Sequence, residues 1–317
     1  MLKLRSILPK TFCKTNLSSA IFDRDVKCVQ RNRSANSPQF LDYLYVRDEM
    51  ALRLTDRLLD IKRDFDIGLD LGCGSGSIYR SGIETIHCLI QTDLSSLSVE
   101  KSATQIHSRL LQSVVADEAH GGFPLFKPSS FDVVISCLSL HWINDLPTAL
   151  VNVMKILRSD GAFIGCMFGG DTLHELRGSL QLAEQEREGG FGLHMSPLVQ
   201  SSDVGSLLHQ AGFKMLTVDV DEIVVNYPSI DAIMKDLQGM AENNCSLKHR
   251  KNLRRNTILA AEAIYRQLYG VEHPQSADLA LPVTYQAIFF IGWKPSPQQP
   301  KPAKRGSGTH SFKDISN

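Results

Sequence analysis

Several things are missing from this chain. There is no net charge: 34 basic residues balance 34 acidic ones. That argues against an extended nucleic-acid surface, and no nucleic-acid partner is expected. No run of about 18 apolar residues occurs, so no transmembrane helix is predicted. The most apolar late stretch, Leu281 to Trp293, is short and holds Pro282, Thr284 and Gln286. The seven cysteines are odd in number and never stand two apart as CxxC. Cys73, Cys137 and Cys166 fall in strands or tight turns, which favours buried thiols in a reducing compartment over disulfides or zinc. No internal repeat is visible. Met1 to Ala20 contains Lys3, Arg5, Lys10 and Lys14 but no acid, and no long apolar core. This is the composition of a mitochondrial presequence rather than a secretory signal.

What is present begins with Ile67-Gly68-Leu69-Asp70-Leu71-Gly72-Cys73-Gly74-Ser75-Gly76. Ile67, Leu69 and Leu71 read as a short buried strand, and the alternating glycines as a tight turn that lets the backbone approach a ligand. A strand Ile86 to Thr92 ends at Asp93, and a strand Leu111 to Ala116 is followed by Asp117 and Glu118. Further strands are expected at Phe131 to Ser136 and Gly161 to Phe168, with helices between them. Strands alternating with helices imply an α/β, doubly wound, mostly parallel sheet. The second half adds expected helices at Asp171 to Glu188, Asp203 to Gln210, Asp231 to Met240 and Asn252 to Leu268. It also adds strands at Thr217 to Val225 and Val283 to Trp293. Apolar spacing predicts one helix from Phe40 to about Ile61. Residues 21–39 read as a linker, residues 40–293 as the domain, and the Pro- and Lys-rich residues 294–317 as a disordered tail.

The acids narrow the ligand. In an open α/β sheet ligands bind beyond the carboxyl ends of the strands, and an acid about 20 residues past the turn hydrogen-bonds a ribose. Asp93 is placed for this, and Asp117 or Glu118 for an adenine amino group. The spacing Gly72-x-Gly74-x-Gly76 lacks the third glycine of a dinucleotide fingerprint, because Ser77 stands there. Asp70 suits a cationic ligand better than a pyrophosphate. S-adenosyl-L-methionine carries a sulfonium and an ammonium and no phosphate, so it is the expected cofactor.

Ser139 to Asp145 follows the fourth strand. His141 is a candidate base or ligand, and Trp142 a candidate cover for the sulfonium or the substrate; a capped helix start with a buried Trp is the alternative. Asp171, Glu175 and the group Glu184, Glu186 and Glu188 suit a guanidinium, which carboxylates bind in bidentate fashion; a solvated helix face is the alternative. His141, His174, His194 and Asp171 are the only visible candidates for a non-haem iron site. They show no H-x-D motif, and no metal is assigned. Lys248, Arg250, Lys251, Arg254 and Arg255 form a basic run that either meets anionic lipid or is a solvated face.

With these residues in view, the chain resembles class I S-adenosylmethionine-dependent methyltransferases of the methyltransferase-11 type. Its first half is similar to the malonyl-carrier-protein methyltransferases. A longer resemblance rests on Ile21-Phe-Asp-Arg-Asp, Ser139-Leu-His-Trp-Ile-Asn-Asp-Leu-Pro, Met167-Phe-Gly-Gly-Asp-Thr-Leu, Ser179-Leu-Gln-Leu-Ala-Glu, Val218-Asp-Val-Asp-Glu-Ile, Asn226-Tyr-Pro and Asp236-Leu-Gln-Gly-Met. These segments resemble the mitochondrial arginine hydroxylases that serve as assembly factors for respiratory complex I. That resemblance implies hydroxylation of an arginine in an iron–sulfur subunit of the complex. It also implies other assembly factors as partners and peripheral contact with the matrix side of the inner membrane. His174 departs from it, since tyrosine is expected there, and the segment after the glycine turn is about one residue short. The cofactor site alone would favour ordinary methyl transfer, and a non-catalytic chaperone is a third reading. His141 and Asp171 are the expected catalytic residues.

Overall fold

The structure is a computed structural model that describes residues 20–104, 111–119, 125–190, 192–247, 253–272, 279–301 and 303–308. All of the expected presequence except Ala20 lies outside them. Seven strands form one sheet in the order β3-β2-β1-β4-β5-β7-β6. They are β1 (Phe65–Leu71), β2 (Ile86–Asp93), β3 (Leu111–Val115), β4 (Phe131–Cys137), β5 (Leu157–Phe168), β6 (Lys214–Tyr227) and β7 (Leu281–Trp293). The first five pair in parallel, and β7 is antiparallel to both β5 and β6. The order reverses between β1 and β4, so a crevice opens at the carboxyl ends of these strands.

Both faces are covered, which is why the central strands are apolar on both sides rather than alternating. On one face Met50, Leu54 and Leu58 of α2 (Tyr45–Leu59) pack with Leu176 and Leu180 of α6 (His174–Glu188). Ile230, Ile233 and Leu237 of α8 (Ile230–Gly239) and Ala261 and Tyr265 of α9 (Arg255–Tyr269) join the same cluster. On the other face lie Leu150, Val153 and Ile156 of α5 (Leu146–Ile156) and Val204 and Leu208 of α7 (Ser201–Gln210). The short α3 (Ser77–Arg80) follows the glycine turn, and α4 (Ser96–Thr104) follows β2. The expected alternation and the late strands are therefore present. The predicted helix from Phe40 is in fact a 3₁₀ turn, Phe40–Tyr43, followed by α2, and α6 begins at His174 rather than Asp171.

Residues 21–39 are not a linker. Arg24–Ala35 is a helix, α1, capped by the Asp23 carboxylate, which accepts from the Asp25 and Val26 amides. Its buried positions are Arg24, Lys27, Gln30, Arg31, Ser34 and Ala35. A docking face made of long polar side chains has no apolar periodicity, so the segment reads as unstructured. The start of the expected disordered tail is also fastened. Lys294 N donates to Gly161 O at 2.9 Å, and Gln299 Nε2 to Asp160 Oδ1 at 2.8 Å.

Close packing between β5 and β7 yields a direct test. A Cβ on Gly165 would lie 2.3 Å from Phe290 Cζ. Gly165→Ala should cost about 1–3 kcal/mol through overpacking; urea unfolding with an unchanged midpoint would contradict this contact.

Candidate cofactor cleft and the adjoining cavity

The glycine turn does what its spacing predicts. Gly72, Gly74 and Gly76 all have left-handed backbones, with φ of 76°, 55° and 80°. The amides of Gly72 and Cys73 both donate to Thr92 O at 2.8 Å, which ties the turn to β2. At Gly72 a side chain is impossible, since a Cβ would fall 2.2 Å from Ser139 Oγ. Gly74 N donates to Asp93 Oδ2 at 2.9 Å, and Ser95 N to Asp93 Oδ1 at 2.8 Å. Asp70 is fully buried; Gln91 Nε2 donates to its Oδ2 at 3.1 Å, while Oδ1 has no partner. Burial pushes the Asp70 carboxyl up to about 7.

The structure brings Asp70, Gly72, Gly74, Gly76, Asp93 and Glu118 together, and adds groups not anticipated. Arg31 of α1 points its Nη1 at Asp93 Oδ2 (3.2 Å) and at Glu118 Oε1 (3.4 Å). Its Nη2 donates to Ser139 Oγ at 3.0 Å, and that hydroxyl donates to Glu118 Oε1 at 2.7 Å. Arg24 Nη2 lies 2.7 Å from Asp117 Oδ1 and 3.1 Å from Glu118 Oε1. Burial works to raise the Glu118 carboxyl, but the two guanidinium charges outweigh it and hold it well below the usual carboxylate range. Arg47 of α2 lies over the turn, where a Cβ on Gly74 would sit 2.7 Å from its Nη1. Between Arg31, Arg47, Gly74 and Ser98 only about 20 Å³ stays open.

The chemistry of this cleft fits an adenosine ligand with a cationic end. Two acids stand where ribose and adenine donors are expected, and Asp70 Oδ1 and Glu118 Oε2 are buried without partners. The volume does not yet fit, because small-molecule sites run to about 300 Å³ or more. Arg31 and Arg47 must withdraw for such a ligand to enter.

Next to the cleft lies a cavity of about 330 Å³. The 3₁₀ turn Leu140–Trp142 after β4 delivers His141 and Trp142 to its wall. Both are buried and both bind Glu242, through His141 Nε2 at 3.1 Å and Trp142 Nε1 at 2.9 Å to Oε2. Arg47 Nη2 reaches Glu242 Oε1 at 3.1 Å. Burial works to raise the Glu242 carboxyl, but His141, Lys27 and Arg47 together hold it at about 2. Burial pushes the His141 ring below its ordinary value. Lys27 Nζ sits 3.3 Å above the Trp142 ring and donates to Ala241 O (2.9 Å) and Asn243 O (3.1 Å). Burial lowers this amine to about 7.

Other sequence candidates lie apart. Asp171 is exposed, accepts from Gln286 Nε2 at 2.9 Å and does not line the cavity with His141. Glu175 is buried and accepts from Thr284 Oγ1 at 2.5 Å. Glu184 accepts from Gly192 N and from His194 Nε2, both at 2.7 Å, so it shapes the loop beyond α6. Glu188 accepts from Thr257 Oγ1 at 2.8 Å, and Glu186 is exposed. Among the described residues no three His, Cys, Asp or Glu side chains gather as a metal site, and no helix is long and apolar enough to cross a membrane. Lys248, Arg250 and Lys251 lie outside the described residues. Arg24, Lys27, Arg31, Arg47 and Glu242 escaped sequence reasoning. For Arg24, Lys27 and Arg31 the one signal is a run of Arg, Lys and Gln between Arg24 and Arg33 with almost no acid to pair locally; Arg47 and Glu242 have none.

The model of the family described as "Methyltransferase domain" matches residues 69–165. Among structures, the chain is similar to the YcgJ protein of Bacillus subtilis, with a TM-score of 0.54 at 13% identity over 78% of this chain and 98% of that one. It also resembles a Haemonchus contortus phosphoethanolamine N-methyltransferase in complex with S-adenosyl-L-methionine. There the TM-score is 0.50 at 15% identity, over 84% of this chain and 60% of that one. These likenesses concern the fold. A human protein named mitochondrial arginine-hydroxylase NDUFAF5 is 49% identical over 93% of this chain and 83% of its own length. The chain belongs to the NDUFAF5 family of mitochondrial arginine hydroxylases.

Family membership therefore spans far more than the methyltransferase core. It takes in α1, whose arginines close the cleft, and the segment that carries Glu242. The Glu242 knot carries a pH signature. Its folded value lies below the ordinary one, so its contribution is complete above about pH 4.5 and fades as pH falls through about 2. The stability gap between the parent chain and Glu242→Gln should shrink over that window in acid titrations followed by circular dichroism. A gap constant from pH 5 to 2 would remove the charge from the argument.

Proposed function

We propose that this chain hydroxylates an arginine side chain in an iron–sulfur subunit of mitochondrial respiratory complex I. In this reading it acts early in assembly, on the matrix side of the inner membrane and in peripheral contact with it. One observation carries the proposal: 49% identity to a named mitochondrial arginine hydroxylase across 93% of the chain. S-adenosyl-L-methionine is the proposed ligand of the cleft, supported by the methyltransferase-domain match over 69–165 and by the glycine turn beside Asp70 and Asp93. Asp93 would receive the ribose hydroxyls, Asp117 or Glu118 the adenine amino group, and Asp70 the cationic end. His141 and Asp171 are the proposed catalytic residues, but they stand apart: His141 has the support, being buried at a cavity wall and oriented by Glu242, whereas Asp171 is bound to Gln286. The methyltransferase match favours a second reading, methyl transfer to a protein.

Peptide mass spectrometry of the matrix-facing iron–sulfur subunits, from mitochondria with and without this chain, separates the readings. One added oxygen on an arginine is the expected result. A methyl increment supports the second reading, and assembly that fails with no mass change in either case removes both. Calorimetry tests the cleft. Arg31→Met should bind S-adenosyl-L-methionine about tenfold more tightly than the parent chain, a gain of about 1.4 kcal/mol, because no guanidinium then holds Asp93. Asp93→Asn should bind more weakly. Equal affinities in all three proteins would remove the ligand from this cleft.

A further inference from the structure

The wall of the 330 Å³ cavity has two characters. Phe168, Leu176, Leu180, Leu198, Leu237 and Tyr285 make one part apolar. The other part is polar and unfinished. Four residues of the wall each hold a buried side-chain atom with no hydrogen-bond partner: Gln30 Oε1, His141 Nδ1, Ser196 Oγ and Asn243 Oδ1. An unpaired buried polar group keeps the full cost of its lost hydration. Natural folds hold few such groups, so four around one space call for an explanation.

Their chemistry is one-sided. Gln30 donates its amide Nε2 to Asn244 O at 3.1 Å, which leaves Oε1 as an acceptor. His141 presents Nε2 to the Glu242 carboxylate, so its proton sits there and Nδ1 is a bare lone pair. Asn243 Oδ1 accepts only, and a serine hydroxyl does either. No Lys or Arg side chain lines the cavity among the described residues. Glu242, also at the wall, is already bound to His141, Trp142 and Arg47. A ligand that completes this wall brings several N–H donors on an apolar stem. A guanidinium has five donors and no acceptor, and the arginine stem packs along apolar surface.

We propose that this cavity is the arginine-binding site, with the substrate guanidinium donating to Gln30 Oε1, Asn243 Oδ1, Ser196 Oγ and His141 Nδ1, and its methylenes lying against Leu180 and Leu198. The assignment rests on the arginine-hydroxylase reading above. It makes Gln30, Ser196 and Asn243 specificity residues, none of which belongs to the glycine turn or the acids around it. A second cavity of about 210 Å³ shares Leu180, His194, Met195 and Ser196 with the first, so the loop at 192–197 has open space on both sides. That space suits the peptide flanking the bound arginine.

Calorimetry on the full chain, with Nα-acetyl-arginine methylamide and its citrulline counterpart, tests the site. The arginine compound should bind at least about tenfold more tightly, since citrulline replaces a donor with a carbonyl and about 1.4 kcal/mol is tenfold. Ser196→Val, on a partly exposed loop, should weaken arginine binding at least fivefold, and Leu180→Trp should abolish it by filling the cavity. Both should leave affinity for S-adenosyl-L-methionine unchanged. Equal binding of the two compounds, absent binding by the parent chain, or undiminished binding by both variants each overturns the proposal. Peptide oxidation separates it from the reading beneath it. If both variants hydroxylate arginine with the parent kcat/KM, the activity stands and the cavity falls. If the parent chain binds arginine here yet adds no oxygen, the cavity stands and the hydroxylase reading falls.

Discussion

Arg24 and Arg31 from α1 meet Asp93 and Glu118 from the ends of β2 and β3 in a space from which water is almost excluded. Removing one partner from such a buried cluster costs about 3–5 kcal/mol, since it strands a charge, whereas the intact cluster adds little net stability. Its effect is therefore on arrangement. It fixes where α1 lies, and α1 in turn carries Lys27 to Trp142 and Gln30 to the cavity wall. Both the closed cleft and the open cavity depend on that placement.

The two spaces are mechanically related. Arg47 touches both, over Gly74 on one side and against Glu242 on the other. Glu242 then holds His141 and Trp142. One guanidinium therefore borders both spaces.

Much of this was legible in the chain. Ile67 to Gly76, Asp93 and Glu118 announced a ligand crevice because strand, turn and acid follow one another locally. The sheet followed from strands alternating with helices. Residues 21–39 were misread for a physical reason. Periodicity detects apolar faces, and α1 buries Arg24, Lys27 and Arg31 instead, satisfied by partners that no local pattern reveals. Glu242 was invisible likewise, since its meaning comes from His141 and Trp142, about a hundred residues earlier. Asp171 looked well placed after β5, yet it turns to Gln286 rather than to the cavity.

The partners of α1 also set an order of events. Synthesis runs from the N-terminus, and domains fold as units once their chain is available. Among the described elements α1 is made first, but Lys27 needs Ala241 and Asn243, and Asp23 N needs Cys245 O. Part of its docking face therefore waits for more than two hundred residues. A waiting apolar face would invite aggregation. A face of Arg, Lys, Gln and Ser is well hydrated, so the helix stays harmless until its last partners exist.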